Sequence, residues 1–197
     1  MSQRLGFVLA LTLSVFISQS TMAAQTLPPA IQWIPQDAVI SLELSQPKAL
    51  LELFAGEKAT AAITALPLYR KQASTPQLKE FFNLVRSMEV TLDTDWRTGL
   101  AKLTGGGITF AICPEDTLIL IIDAEDENIL ERFHEILLDG ARSEAEKQGQ
   151  PNRVASTQYR DVTAWTFNGK EAHALIGKRL VYANRPEGLK AVLEIRD

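Results

Sequence analysis

From Ala38 to Leu44 apolar and polar residues alternate. Ala38, Ile40, Leu42 and Leu44 fall on one side, and Val39, Ser41 and Glu43 on the other. Period two over this length predicts a strand with one buried face. Ser45 is placed to cap the next helix, with Pro47 in its first turn, where a missing N–H is tolerated. Leu50, Leu51, Leu53 and Phe54 supply its apolar side, and Gly56 is a natural stop. Ala59 to Leu66 reads as a short helix ended by Pro67. Ser74-Thr75-Pro76 signals another start, followed by Leu78, Phe81, Phe82, Val85 and Met88 on one helical stripe. Asp93 or Thr94 then caps a helix holding Trp96, Leu100 and Leu103.

The pattern changes at Gly105-Gly106-Gly107. Ile108 to Cys113 and Thr117 to Asp123 read as strands joined by a Pro114-Glu115-Asp116 turn. Leu118 to Ile122 is apolar on both faces, which predicts a central strand covered on both sides. A long amphipathic helix follows with Ile129, Leu130, Phe133, Ile136 and Leu137 on its apolar face, and its polar end, Arg142 to Gln150, is expected to fray. Val154–Gln158, Val162–Phe167, Ala172–Ile176 and Leu180–Ala183 predict four more strands, with Asn168-Gly169 a two-residue hairpin signal. Pro186 opens a last helix carrying Leu189, Val192, Leu193 and Ile195 on its apolar side. The order is strand, helices, hairpin, long helix, meander, helix. Strands joined by hairpins imply an α+β fold: a largely antiparallel sheet with helices packed on it.

The N-terminus follows a different logic. Arg4 precedes an apolar run from Leu5 to Ile17, then Ser18-Gln19-Ser20-Thr21 and the small residues Ala23-Ala24. Charge, short apolar core and small residues at a cut make a secretory signal peptide. A membrane-spanning helix needs about 20 apolar residues, and this run is shorter and interrupted by Thr12 and Ser14. Residues 1–24 are therefore expected to direct export to the periplasm or the exterior, and residues 25–197 to form one α+β domain with no transmembrane segment.

Composition narrows the function classes. The 197 residues carry 20 basic and 24 acidic side chains, for a net charge of −4, and are 46% hydrophobic. That apolar fraction is globular, and the mild acidity argues against nucleic-acid binding, which needs a concentrated basic surface. The single Cys113 excludes an internal disulfide; beside Glu115 and Asp116 it reads as a small core residue, not a thiolate nucleophile. His134, at the edge of the helical stripe, and His173, in a strand, have no partner at ligand spacing, so neither predicts a metal site, and His134 reads as a boundary or surface residue. Asp123-Ala124-Glu125-Asp126-Glu127-Asn128 offers carboxylates like a calcium loop but lacks its turn glycine and closing Glu; acids opening a helix are the better account. Asp93 and Asp95 read as helix caps, and the three glycines as a helix end leading into a hairpin, with no phosphate-loop sequence after them. Lys170, Lys178, Arg179 and Arg185 read as solvated turn residues. No catalytic residue, cofactor or metal is assigned.

Three segments carry a resemblance. Pro35-Gln36-Asp37 leading into Ala38–Leu44 and Pro47–Leu51, the hairpin from Gly105 through Asp123, and Gly177–Ala183 running into Glu187-Gly188-Leu189 resemble exported bacterial proteins of unknown function, of the DUF3352-like kind. The likeness spans most of residues 35–195 and rests on apolar strand patterns. It implies a signal peptide, an α+β domain and no known catalytic residues. Such proteins are often longer, which fits a chain that is the first part of one. The leading expectation is a non-catalytic domain of the cell envelope that contacts other envelope proteins. Its rivals are a hydrolase acting on an envelope polymer through Asp93, Asp95, Asp116 and Asp123, and a small-ligand-binding domain needing a sizeable apolar cavity.

Overall fold

The computed structural model describes residues 27–66, 75, 83, 85, 86, 89, 90 and 93–196. Alternating sequence becomes strand in seven places: β1 (Ile40–Leu44), β2 (Gly107–Cys113), β3 (Thr117–Asp123), β4 (Ala155–Tyr159), β5 (Val162–Thr166), β6 (Ala172–Ile176) and β7 (Arg179–Ala183). They form one sheet in the order β1-β2-β3-β7-β6-β5-β4, with every neighbouring pair antiparallel. The helices are α1 (Pro47–Ala55), α2 (Glu57–Ala65), α3 (Trp96–Leu103), α4 (Glu127–Lys147) and α5 (Pro186–Arg196), preceded by a 3₁₀ turn at Ala30–Trp33. The expected α+β architecture and element order both hold. The topology has one departure from a simple meander. Helix α4 carries the chain from β3 to the far edge, and β4 to β7 then walk back, so that β7 closes against β3.

Directly paired residues share a face. One face collects Thr109, Ala111, Ile119, Ile121, Ala174, Val181 and Ala183, all buried. Helix α5 covers it with Leu189, Val192 and Leu193, and Trp33 and Ile34 complete the core. The small alanines let α5 approach closely; a Cβ on Gly188 would lie 2.7 Å from Thr117 and 3.0 Å from the Ala183 methyl group. Burying side chains such as Leu193 contributes about 1.5–3 kcal/mol each.

The second face carries Ile40, Leu42, Phe110, Ile112, Leu118, Leu120, Leu180, Tyr182, His173 and Leu175. Helix α4 packs over its β6–β7 part through Leu130, Phe133 and His134. Toward β1 the cover thins: Ile40 is 54% exposed, Leu42 65% and Leu118 38%.

Several local expectations need correction. The β1 strand has no buried face: Ile40 through Glu43 are all exposed, because β2 is its only strand neighbour among the described residues. Strand β3 is buried on one face only, through Ile119 and Ile121. Ser45 does not cap α1; Gln46 holds that position without a side-chain bond. The cap of α3 is Asp95, whose carboxylate accepts from Arg97 N and Thr98 N at 3.1 Å each, while Asp93 sits in a turn at φ 49°. Helix α4 stays regular to Lys147, since Ala145 is buried and anchors its polar end. Asn168-Gly169 is not a two-residue hairpin, for β5 and β6 pair no nearer the turn than Trp165 and His173. Ile195, expected on the apolar side of α5, is 42% exposed. The stretch from Pro67 to Pro76, with Leu78, Phe81, Phe82 and Met88, lies outside the described residues apart from Thr75.

Candidate functional site

Two of the four acids considered for hydrolysis stand at opposite ends of one strand. Asp116 lies in the β2–β3 turn and Asp123 at the other end of β3, a separation of roughly 20 Å at strand rise. Asp95 caps the start of α3, and hydrogen bonds from Thr98, the side chain first, hold its carboxyl below the usual carboxylate range. Asp123 is engaged elsewhere. It is the register partner of Arg179. The guanidinium grips it with two bonds, Nε to Oδ1 at 2.6 Å and Nη2 to Oδ2 at 2.8 Å.

That pair is built into the core. Arg179 is 2% exposed, its Nη2 also donates to the Pro28 carbonyl at 2.8 Å, and its guanidinium lies 4.3 Å over the Trp33 ring. The chain from Gly105 to Gly107 sets the carboxylate in place. Gly106 N–H donates to the Asp123 carbonyl at 2.8 Å, and a Cβ on Gly106 would stand 2.8 Å from that of Asp123. Arg179 is thus not the solvated turn residue that its neighbours Gly177 and Lys178 suggest. Its role is to tie the chain at Pro28, β3 and β7 together through Nε and Nη2, while its Nη1 is buried without a partner.

The acidic run after Asp123 opens α4, as expected: the Asp126 carboxylate accepts from Asn128 N at 2.7 Å, and Glu127 lies in the first turn. Cys113 is buried, as expected; burial, then the nearby Asp37 charge, pushes its thiol above the ordinary range and opposes thiolate chemistry.

The histidines come together from 39 residues apart. His134 on α4 and His173 on β6 face each other with Nε2 atoms 3.0 Å apart, and they are 6% and 3% exposed. The reading of His134 as a boundary residue fails because the buried stripe of α4 runs Leu130, His134, Leu138, one residue every turn. A hydrogen bond between ring nitrogens needs one protonated and one bare Nε2. His173 Nδ1 is buried with no partner, and a bare nitrogen there costs less than an orphaned N–H. The favoured arrangement therefore has His173 donating from Nε2. Phe167 lies 4.8 Å from the His173 ring and Trp165 5.8 Å from that of His134. Burial, then the neighbouring His134, lowers His173 to about 4; burial likewise lowers His134. Both rings are neutral at pH 7 and behave as core residues. No group of three or more metal-ligating side chains occurs among the described residues.

Two surface features are open to a partner. One is a groove of about 280 Å³ between β4–β6 and α5, walled by Ala164, Trp165, Ala172, Leu189 and Leu193. Glu171 borders it; its Oε1 accepts from Phe167 N at 2.5 Å, while its Oε2 is buried without a partner. The other is β1. Among the described residues its backbone pairs on one side only, and Ile40 and Leu42 on it, with Val39 just before it, lie open. Strand β1 was legible as a strand from its alternation; that it would be an edge is set by the strand order. No helix of the described residues is long and apolar enough to cross a membrane. No family model, curated protein or solved structure matches the chain.

Proposed function

We propose that this chain is a non-catalytic exported domain that works by protein–protein contact in the cell envelope. The observation that carries the reading is the open β1 edge. Exposed, apolar and unprotected edge strands are rare in proteins that work alone, because they template pairing with other chains. Here Ile40 and Leu42 continue into the half-open Phe110, Ile112 and Leu118 surface. Adding a strand at such an edge gives affinity through main-chain bonds and specificity through alternate side chains. Export rests on the Arg4, Leu5–Ile17 and Ala23-Ala24 layout at the N-terminus.

The test is a photo-crosslinking amino acid at Leu42 in the exporting cell, with the same group at Gln158 on the opposite edge. A defined adduct at Leu42 and none at Gln158 is expected. Equal labelling at both positions overturns the reading.

A second reading, a small-ligand domain, rests on the groove beside Glu171. An amphiphile with an N–H or O–H head would suit its apolar walls and the unpaired carboxylate oxygen. Leu193→Trp would fill that groove, so a bound fluorescent amine amphiphile should be lost from the variant. Unchanged binding removes this reading.

A further inference from the structure

We propose that the partner at β1 is a second copy of this chain, paired antiparallel through β1 about a two-fold axis at Leu42. This rests on the reading of β1 as the contact surface and adds the identity of what covers it. A strand offers hydrogen-bonding groups to both sides, and β2 uses one side. The side chains decide what can use the other.

In a self-pairing about Leu42, Leu42 meets its own twin, Ile40 meets Leu44, and Ser41 meets Glu43. All three apolar positions then fall on one face. It is the face of Phe110, Ile112 and Leu118, so two half-open surfaces become one continuous surface. The strand's single ionised group, Glu43, stands opposite a serine. Moving the axis to Glu43 would set two carboxylates against each other, which destabilises a pair of strands. Slipping the register by one residue would put the apolar faces of the two copies on opposite sides. The five-residue sequence thus fits itself about Leu42 with all three apolar positions paired, whereas an axis at Ser41 pairs only Ile40 with Leu42 within the strand. The same operation on β4 pairs Thr157 with itself, Ser156 with Gln158 and Ala155 with Tyr159, so it joins fewer large aliphatic side chains than the Ile40, Leu42 and Leu44 set of β1.

An isologous contact of this kind closes at two copies, because each β1 is consumed by the other. A short strand pair with a few apolar side chains lies at the small end of stable interfaces. The expected behaviour is a reversible dimer with a Kd on the order of micromolar.

The experiment is sedimentation equilibrium on the full chain, after whatever processing the expression host performs, over a wide concentration range. The wild type should move from one to two copies. L42K places like charges on the axis and should weaken the dimer by about tenfold or more. S41K sets an ammonium opposite each Glu43 and should tighten it about fivefold, whereas S41E should weaken it by a similar factor. Residues 41 and 42 are solvent-exposed, so melting temperature and circular dichroism, taken at concentrations where the monomer dominates, serve as folding controls and should not move.

A monomer at all concentrations overturns the proposal. So does a dimer indifferent to L42K, or S41K and S41E acting in the same direction. The Leu42 crosslink separates this from the broader reading. An adduct with a different protein, beside a monomer in sedimentation, keeps β1 as a contact surface and removes the second copy. Absence of both adduct and dimer removes both.

Discussion

The middle of the sheet and its β1 end are made of similar apolar strands, yet they are finished differently. At β7 and β6 both faces are covered, by α5 on one side and α4 on the other. Buried ionisable side chains meet in pairs there: Asp123 with Arg179, His134 with His173. At β1 neither face is closed by the described residues, and Ile40 and Leu42 are exposed. The same residue type therefore means different things in the two regions. An apolar side chain in the middle stabilises the fold; at the β1 end it has little folding role and is available to another chain. Burial, not hydrophobicity, separates the two uses.

The largest expected effect tests the closed region. Arg179→Ala leaves Asp123 without its ion partner and frees the lead-in chain at Pro28. Breaking one half of a buried pair costs about 3–5 kcal/mol. Urea unfolding should show a loss of that size; a loss below about 1 kcal/mol would mean the pair holds nothing together. Leu193→Ala deletes methyl groups from the α5 contact and should cost about 2–5 kcal/mol in the same assay.

The histidine pair gives a pH-dependent version of the same comparison. His173 is lowered in the folded protein to about 4, from an ordinary value of 6.5. Between those values the unfolded chain binds a proton that the folded chain refuses. Stability is therefore full above the unfolded value, falls as pH drops below about 6.5, and levels off below about 4. The span of the shift sets an upper size of about 3 kcal/mol. The double variant His134→Leu, His173→Leu should flatten that limb of the stability curve. An identical slope in wild type and variant would show that the acid sensitivity lies elsewhere, for example in the carboxylates.

How much of this was readable beforehand depends on the range of the interaction. Strands, turns and helix starts are local, and period two with Gly and Pro punctuation placed all seven strands to within a residue or two. Pairings set by register are not local. Arg179 and Asp123 are 56 residues apart, and His134 and His173 are 39 apart. Signals did exist. Alternation in β7 puts Arg179 on the same face as Val181 and Ala183, both fully buried, so its burial follows from the strand pattern. Spacing by four in α4 likewise puts His134 in line with Leu130 and Leu138. Sequence neighbours drew attention instead: Gly177-Lys178 made Arg179 look like part of a turn. The open β1 edge lay further out of reach, since only the strand order shows which strand comes last.

The smallest expected effect is the one that sharpens the contrast most. Leu42→Ala removes as much apolar volume as Leu193→Ala, from a side chain that is 65% exposed. The leucine gives up little contact with water on folding, and its truncation leaves no cavity. The monomer should lose no more than about 0.5 kcal/mol, the range of ordinary surface changes. The measurement must be made at low protein concentration, because any association through β1 would add its own stability by mass action. Under that condition the two leucines should differ severalfold in cost. A loss for Leu42→Ala approaching that of Leu193→Ala would mean that β1 is packed within its own chain, and the division into a closed and an open region would fail.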